Sequence, residues 1–197
     1  LDELEIEAPT VVGHSLGGAV ALAMAVHHPN RVGQLVDLSG VSHAWGGEVW
    51  WAYGLEGIPV LGWYFSNALM PVVGLALYEP SVEGTFFPGP TVSDYSEKTQ
   101  TKMIMRPETF RHNAADVRAL NDGVLALSAR YGQLTQRFDV VFGTEDYVSP
   151  DLHAAGLARD APGAEITLIE GAGHMIHHPQ FETVRGVILA AAGRNQF

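Results

Sequence analysis

A serine, an aspartate and a histidine stand far apart in this chain, each in a turn whose composition suits exposure of a reactive side chain. The serine comes first. The run Val11-Val12-Gly13-His14-Ser15-Leu16-Gly17-Gly18 carries an apolar stretch into Gly-x-Ser-x-Gly and on into a helix of small residues, Ala19 to Val26. A turn that tight strains the serine backbone, and glycine at the flanking positions Gly13 and Gly17 is expected to let strand and helix approach closely enough to aim the Ser15 hydroxyl outward. A serine hydroxyl is a weak nucleophile until a base takes its proton, and the base needs a third group to orient it.

Both partners follow downstream. Phe138 to Phe142 is a β-branched and aromatic run closing on Gly143-Thr144-Glu145-Asp146-Tyr147-Val148-Ser149-Pro150, which places Asp146 in the loop past a buried parallel strand. Glu165 to Ile169 reads as a further strand, and Gly171-Ala172-Gly173-His174 sets a histidine on a loop beyond its carboxyl end. Chemistry in open α/β sheets collects at the carboxyl ends of strands, where Ser15, Asp146 and His174 all fall. Three carboxylates compete with Asp146: Glu145, expected to be solvated; Asp151, placed to favour a helix start; and Asp37, inside a strand. His14 and Met175, beside the nucleophile and the base, are the candidates for substrate contact. His177 and His178 cluster with His174, but neighbours in sequence point different ways and no metal site is expected. His27-His28 reads as a helix end, where a positive imidazole suits the dipole.

The elements that must position these residues are four strands, Thr10 to Gly13, Gln34 to Leu38, Phe138 to Phe142 and Glu165 to Ile169, expected to be parallel neighbours. The helix Leu16 to His28 links the first two by a right-handed crossover and stops at Pro29-Asn30. Ser149-Pro150-Asp151 reads as an N-cap, a first-turn proline and a favourable carboxylate for a helix to Arg159. A last helix, Gln180 to Ala192, carries Phe181, Val184, Val187 and Ile188 on one face.

With Gly-His-Ser-Leu-Gly-Gly, Gly-Thr-Glu-Asp-Tyr-Val-Ser-Pro and Gly-Ala-Gly-His in that order, the chain resembles the α/β-hydrolase family over nearly its whole length. The resemblance implies an α/β fold in which Ser15 is the nucleophile, Asp146 the orienting acid, His174 the general base and the Leu16 backbone N–H one oxyanion-hole donor. It also implies an esterase-like, cofactor-free hydrolase that acts on small-molecule esters through an acyl-enzyme. A carbon–carbon bond hydrolase, a cofactor-free haloperoxidase or acyltransferase, and a non-catalytic ligand-binding member are the alternatives. The carbon–carbon branch usually carries Asn before the serine and Trp after the histidine, where this chain has His14 and Met175. Family members place the elbow well inside the chain, so this one reads as the carboxyl-terminal part of the fold. The loop supplying the second oxyanion donor is then absent, a loss expected to cost about 100-fold to 1000-fold in turnover.

Residues 41–136, an insertion far longer than an ordinary crossover, are expected to form a helical cap on a core of 1–40 and 137–197. Ile58 to Tyr78 is uncharged. Pro59, Gly62, Pro71 and Gly74, with Ser66 and Asn67, are expected to interrupt it, so it reads as an apolar cap making at most weak membrane contact and not as a transmembrane span. Glu108 to Leu120 reads as a more polar helix with Arg111, His112 and Asn113 facing either a pocket or solvent. A composition of 47 % hydrophobic and 17 % charged residues supports a buried core. A net charge of -11 with no basic run argues against nucleic acid. With no cysteine there are no disulfides or thiolate metal sites, and cytosol, the default, and periplasm both remain open.

Overall fold

The computed structural model describes residues 1–46 and 50–194. Four parallel strands form one sheet in chain order: β1 (Thr10–His14), β2 (Gln34–Leu38), β3 (Phe138–Gly143) and β4 (Ala164–Ile169). Val12 pairs with Val36, Leu38 with Val141, and Val141 with Thr167, so the carboxyl ends of the strands come level. Alternation along each strand separates two cores. Leu35, Phe138, Val140 and Phe142 pack with α1 (Leu16–His27) and α7 (Pro150–Asp160), while Val36, Leu38 and Val141 pack with α8 (Phe181–Arg194). On α8, Val184 and Ala191 are buried, whereas Phe181, expected on the same face, is exposed.

The chain divides into two compact units. One contains Leu1–Ala44, Phe87–Gly89 and Val124–Phe197; the other contains Trp45–Phe86 and Pro90–Gly123. The first unit thus extends beyond the expected 1–40 and 137–197. The cause is α6 (Pro107–Ser128), longer than the expected Glu108 to Leu120: its last turns bury Val124 and Leu127, and Tyr131 and Leu134 follow them into the core around Phe138.

After β2 the chain is pinned by a buried polar network inside this unit. His153 Nδ1 accepts from the N–H groups of both Ser42 and His43 at 3.2 Å, Ser42 Oγ donates to His153 O at 3.1 Å, and Tyr131 OH donates to Ser42 O at 2.8 Å. His43 Nε2 meets Asp160 Oδ2 at 3.1 Å, and Arg159 holds both oxygens of Asp160. At the end of α1, Arg130 donates to His27 Nδ1 at 3.0 Å and to Val26 O at 3.3 Å. The Arg130 guanidinium thus places a cation at this helix terminus, where it suits the dipole. Ser149 precedes α7 as expected but makes no side-chain cap; its backbone is left-handed, at φ 68°.

The second unit contains α2 (Trp51–Glu56), α3 (Leu61–Tyr64), α4 (Met70–Phe86), α5 (Tyr95–Thr99) and α6 up to Gly123, around a cluster of Ala52, Phe65, Met70 and Phe110. The expected interruptions do not break the helix running from Leu61 to Phe86. A π-helical turn at Phe65–Leu69 joins α3 to α4, and this wider turn lies just before Pro71, which has no N–H to give. Among the described residues this is the one helix long and apolar enough to cross a membrane by length and composition. Its mean hydropathy is 1.2 and only a third of its most apolar window is buried. Arg111 pairs with Glu56 at 3.3 Å and Asn113 donates to Tyr53 OH at 3.0 Å, so both polar side chains are used within the unit.

Candidate active site

The strand β1 ends at His14 and α1 begins at Leu16, leaving Ser15 to make the whole reversal at φ 56° and ψ −122°. Its backbone is held on both sides: the N–H donates to Leu38 O at 3.0 Å, and its carbonyl accepts from Gly18 N–H at 2.9 Å and Val41 N–H at 3.2 Å. A Cβ on Gly13 would lie 2.3 Å from Gly17 O, so glycine is obligatory there. The second expected glycine differs. A Cβ on Gly17 would meet nothing, while one on Gly18 would lie 2.2 Å from Asp37 Oδ1; the close packing of α1 on β2 requires Gly18 instead. Leu16 N–H is the first amide of the helix, and among the described residues no acceptor is paired with it. An amide so placed can receive developing negative charge on an oxygen bound beside Ser15.

The Asp146 turn and the His174 loop are stitched together by their backbones. Thr144 N–H donates to Ile169 O at 3.1 Å, Glu145 N–H to Ala172 O at 3.0 Å, and Gly171 N–H to Thr144 Oγ1 at 2.9 Å. Gly171 adopts φ 69°, and a Cβ on Gly173 would fall 1.8 Å from Phe87 O; both glycines of Gly-Ala-Gly-His are therefore used. The result is a bond from His174 Nδ1 to Asp146 Oδ1 at 3.0 Å and Oδ2 at 3.1 Å, with both side chains out of water. Burial alone would raise the Asp146 pKa. The hydrogen bond and charge of the His174 ring, the Ser39 hydroxyl and the Val148 N–H outweigh it and hold the carboxyl below its ordinary value. Among the described residues no hydrogen bond yet joins Ser15 Oγ to the His174 ring; such contacts commonly tighten only once substrate is bound.

The competing carboxylates lie elsewhere. Glu145 is exposed, and Asp151 is in the first turn of α7. Asp37 is wholly buried against Gly18 and Gly40, neither of its oxygens has a hydrogen-bond partner among the described residues, and burial pushes its pKa up to about 7. Met175 is buried, next in sequence to His174. His14 turns toward His174: Nε2 lies 3.0 Å from His174 O, and the two ring centroids are 4.7 Å apart. His177 stacks on His14 at 4.6 Å, and no group of metal-binding geometry forms among the described residues.

Two further side chains neighbour the site. Tyr147 packs its ring 4.8 Å from that of His174, and Ser39, at φ 48°, sets its buried hydroxyl near Asp146. Tyr147 stands inside the acid motif, which was a signal; a serine ending a strand carries none.

The sequence profile of the alpha/beta hydrolase family matches residues 1–185. An uncharacterised protein of Mycobacterium tuberculosis is 29 % identical over 192 residues, covering 90 % of this chain and 54 % of that one. The 2-hydroxymuconate semialdehyde hydrolase of a Pseudomonas strain is 28 % identical over 201 residues, covering 98 % and 65 %. Among solved structures, Est816, described as an N-acyl homoserine lactone degrading enzyme, is similar at a TM-score of 0.55 and 26 % identity, covering 94 % of this chain and 70 % of that one. The chain spans about half to two thirds of the length of the curated relatives it matches. A parallel sheet with a strained serine after β1, an acid after β3 and a histidine after β4, together with a profile match over most of its length, makes this chain a member of the alpha/beta hydrolase family.

Proposed function

We propose that the protein is a serine hydrolase that cleaves carboxylic esters of small to medium apolar substrates through an acyl-enzyme on Ser15. The observation that carries this reading is the buried His174–Asp146 pair at 3.0 Å in the same sheet end as the strained Ser15. Ser15 Oγ attacks the ester carbonyl as His174 takes its proton; the oxyanion rests on Leu16 N–H; and the protonated ring returns the proton to the departing alcohol. Asp146 stabilises the imidazolium through Nδ1. Water, activated by the same ring, then attacks the acyl carbon, releasing the acid and restoring Ser15. The second unit is proposed to act as the cap that selects the substrate, its apolar helices making at most weak membrane contact. Similarity to a lactone-degrading enzyme supports ester chemistry, since a lactone is a cyclic ester.

A second reading, hydrolysis of a carbon–carbon bond, is favoured by the 2-hydroxymuconate semialdehyde hydrolase. The two are separated by incubating the chain with p-nitrophenyl butyrate and with 2-hydroxymuconate semialdehyde. Ester turnover lost in Ser15→Ala and His174→Ala supports the first; turnover of the semialdehyde alone supports the second. Ester turnover that survives both substitutions overturns the assignment of the site.

A further inference from the structure

We propose that His14 is a positioning residue for the general base: it ties the His174 main chain to the nucleophile elbow and, as a neutral ring, keeps positive charge off the face of His174. The inference rests on the hydrolase reading above, in which Ser15 and His174 exchange a proton. His14 is the last residue of β1, adjacent to Ser15, and its Nε2 lies 3.0 Å from the carbonyl oxygen of His174. A carbonyl only accepts, so Nε2 carries a proton; with the pKa of the ring lowered by burial, Nδ1 is bare above neutral pH. His174 has the opposite tautomer, because its Nδ1 donates to the Asp146 carboxylate. The two imidazoles are therefore fixed as a complementary pair across one ring-to-ring contact of 4.7 Å, tilted by 44°.

The tie matters because His174 sits on an irregular loop rather than in a helix or strand. The hydrogen bond from His14 references that loop directly to the residue before the nucleophile. His177 also packs against His14, at 4.6 Å with its ring at 61°. The titratable groups around His14 are His174, His177, His178 and Asp146. Burial is the largest influence and lowers the His14 pKa; nearby His174 and His178 act in the same direction, against the His174 carbonyl and Asp146. A neutral His14 suits a partner that becomes imidazolium during each proton transfer, since a second positive ring at this distance would oppose it.

The test joins a readout of the resting protein to one of the nucleophile. In the 15N-labelled full chain at pH 8, ring-nitrogen NMR shifts should show His14 protonated at Nε2 and His174 at Nδ1. Labelling of Ser15 by a fluorophosphonate, followed by intact mass, should slow about tenfold in His14→Phe, which keeps a ring but loses the donor, the scale of one neutral hydrogen bond. His14→Gln, which restores an N–H donor, should recover most of that rate. With p-nitrophenyl butyrate, His14→Phe should lower kcat and leave KM nearly unchanged, because the proposed role of His14 is to hold His174 rather than to bind substrate. A His14 ring protonated at Nδ1, or a folded His14→Phe that labels at the wild-type rate, overturns the proposal. Should His14→Phe fail to fold, the wild-type tautomers and His14→Gln still decide it. Absent labelling of wild type, or labelling that persists in Ser15→Ala, overturns the hydrolase reading instead and leaves the tautomer measurement standing.

Discussion

Both oxygens of Asp146 lie within 3.1 Å of His174 Nδ1, and the Val148 N–H holds Oδ1 from behind at 2.8 Å. A carboxylate held this way accepts but cannot donate, so the His174 ring carries a proton on Nδ1, which leaves Nε2 as the nitrogen that would serve the nucleophile in the proposed reaction. Asp146→Asn keeps the shape and offers an amide hydrogen to the same nitrogen, which favours the wrong tautomer. Turnover of p-nitrophenyl butyrate is expected to fall about 10⁴-fold with the melting temperature little changed. A mutant within tenfold of wild type would show that another group orients His174.

The glycines of the two loops are predicted to differ sharply in tolerance. Gly13→Ala and Gly173→Ala each drive a methyl into a backbone carbonyl, at 2.3 and 1.8 Å, which no rotamer change relieves. Gly17→Ala meets open space within a helix and is expected to melt at or above the wild-type temperature, since alanine is the better helix former by up to about 1 kcal/mol. Thermal melts of the three single mutants check the order.

Asp37 should act against stability at neutral pH. Its folded pKa, about 7, is above the unfolded value of 3.8. Between these values the native state keeps a proton that the unfolded chain releases, so this contribution is fully present below about pH 4 and is lost as pH rises through 7. Asp37→Asn stays neutral throughout. Urea melts should show it more stable than wild type at pH 8, by on the order of a few kcal/mol, with the gain shrinking toward pH 4. Equal gains at both pH values would mean that the carboxyl is ionised and compensated in the fold.

His153 should respond in the opposite direction. Burial lowers its pKa to about 4, and its Nδ1 must stay unprotonated to accept from Ser42 and His43. As pH falls below about 6.5 the unfolded chain binds a proton that the native ring refuses, so stability declines from there to about pH 4 and then levels. His153→Leu removes this titration but leaves two buried N–H groups unpaired, at about 1–3 kcal/mol each. The mutant should be less stable at pH 7.5 and lose less on acidification. An unchanged pH slope would assign the decline to another group, His177 being next because its pKa also lies near 4.

The strands and α1 were readable because each is decided by short-range pattern. The runs at 34–38 and 138–142 are short and mostly apolar, with Val, Leu and Phe around one acid each, so they tend to bury, and Pro29 ends α1 locally. The helix through Pro71 was not readable, because its continuity depends on a π-turn that a single sequence does not encode in residue type. The end of α6 is not legible for a related reason: Val124 and Leu127 extend it beyond the expected Leu120 because both are buried, Leu127 in the core around Phe138. Phe181 had the right spacing for burial, but α8 presents Val184 and Ala191 to the sheet instead.

What the sequence determined by itself was the identity and order of the candidate reactive groups. Tight turns demand glycine, and only certain residue types do nucleophilic chemistry, so Ser15, Asp146 and His174 stand out as candidates from the chain alone. What tertiary structure decided was which carboxylate reaches the histidine and what becomes of the others. Asp37 and Asp146 are both acids near the ends of adjacent strands. One is sealed against Gly18 and Gly40 with no hydrogen-bond partner among the described residues, while the other faces His174 across a turn stitched to the histidine loop. That difference arises from strand pairing and from the alternation of side chains across the sheet. The same holds for the His14 ring, whose neighbours lie 160 residues away and exist only once β1 and the last loop are brought together.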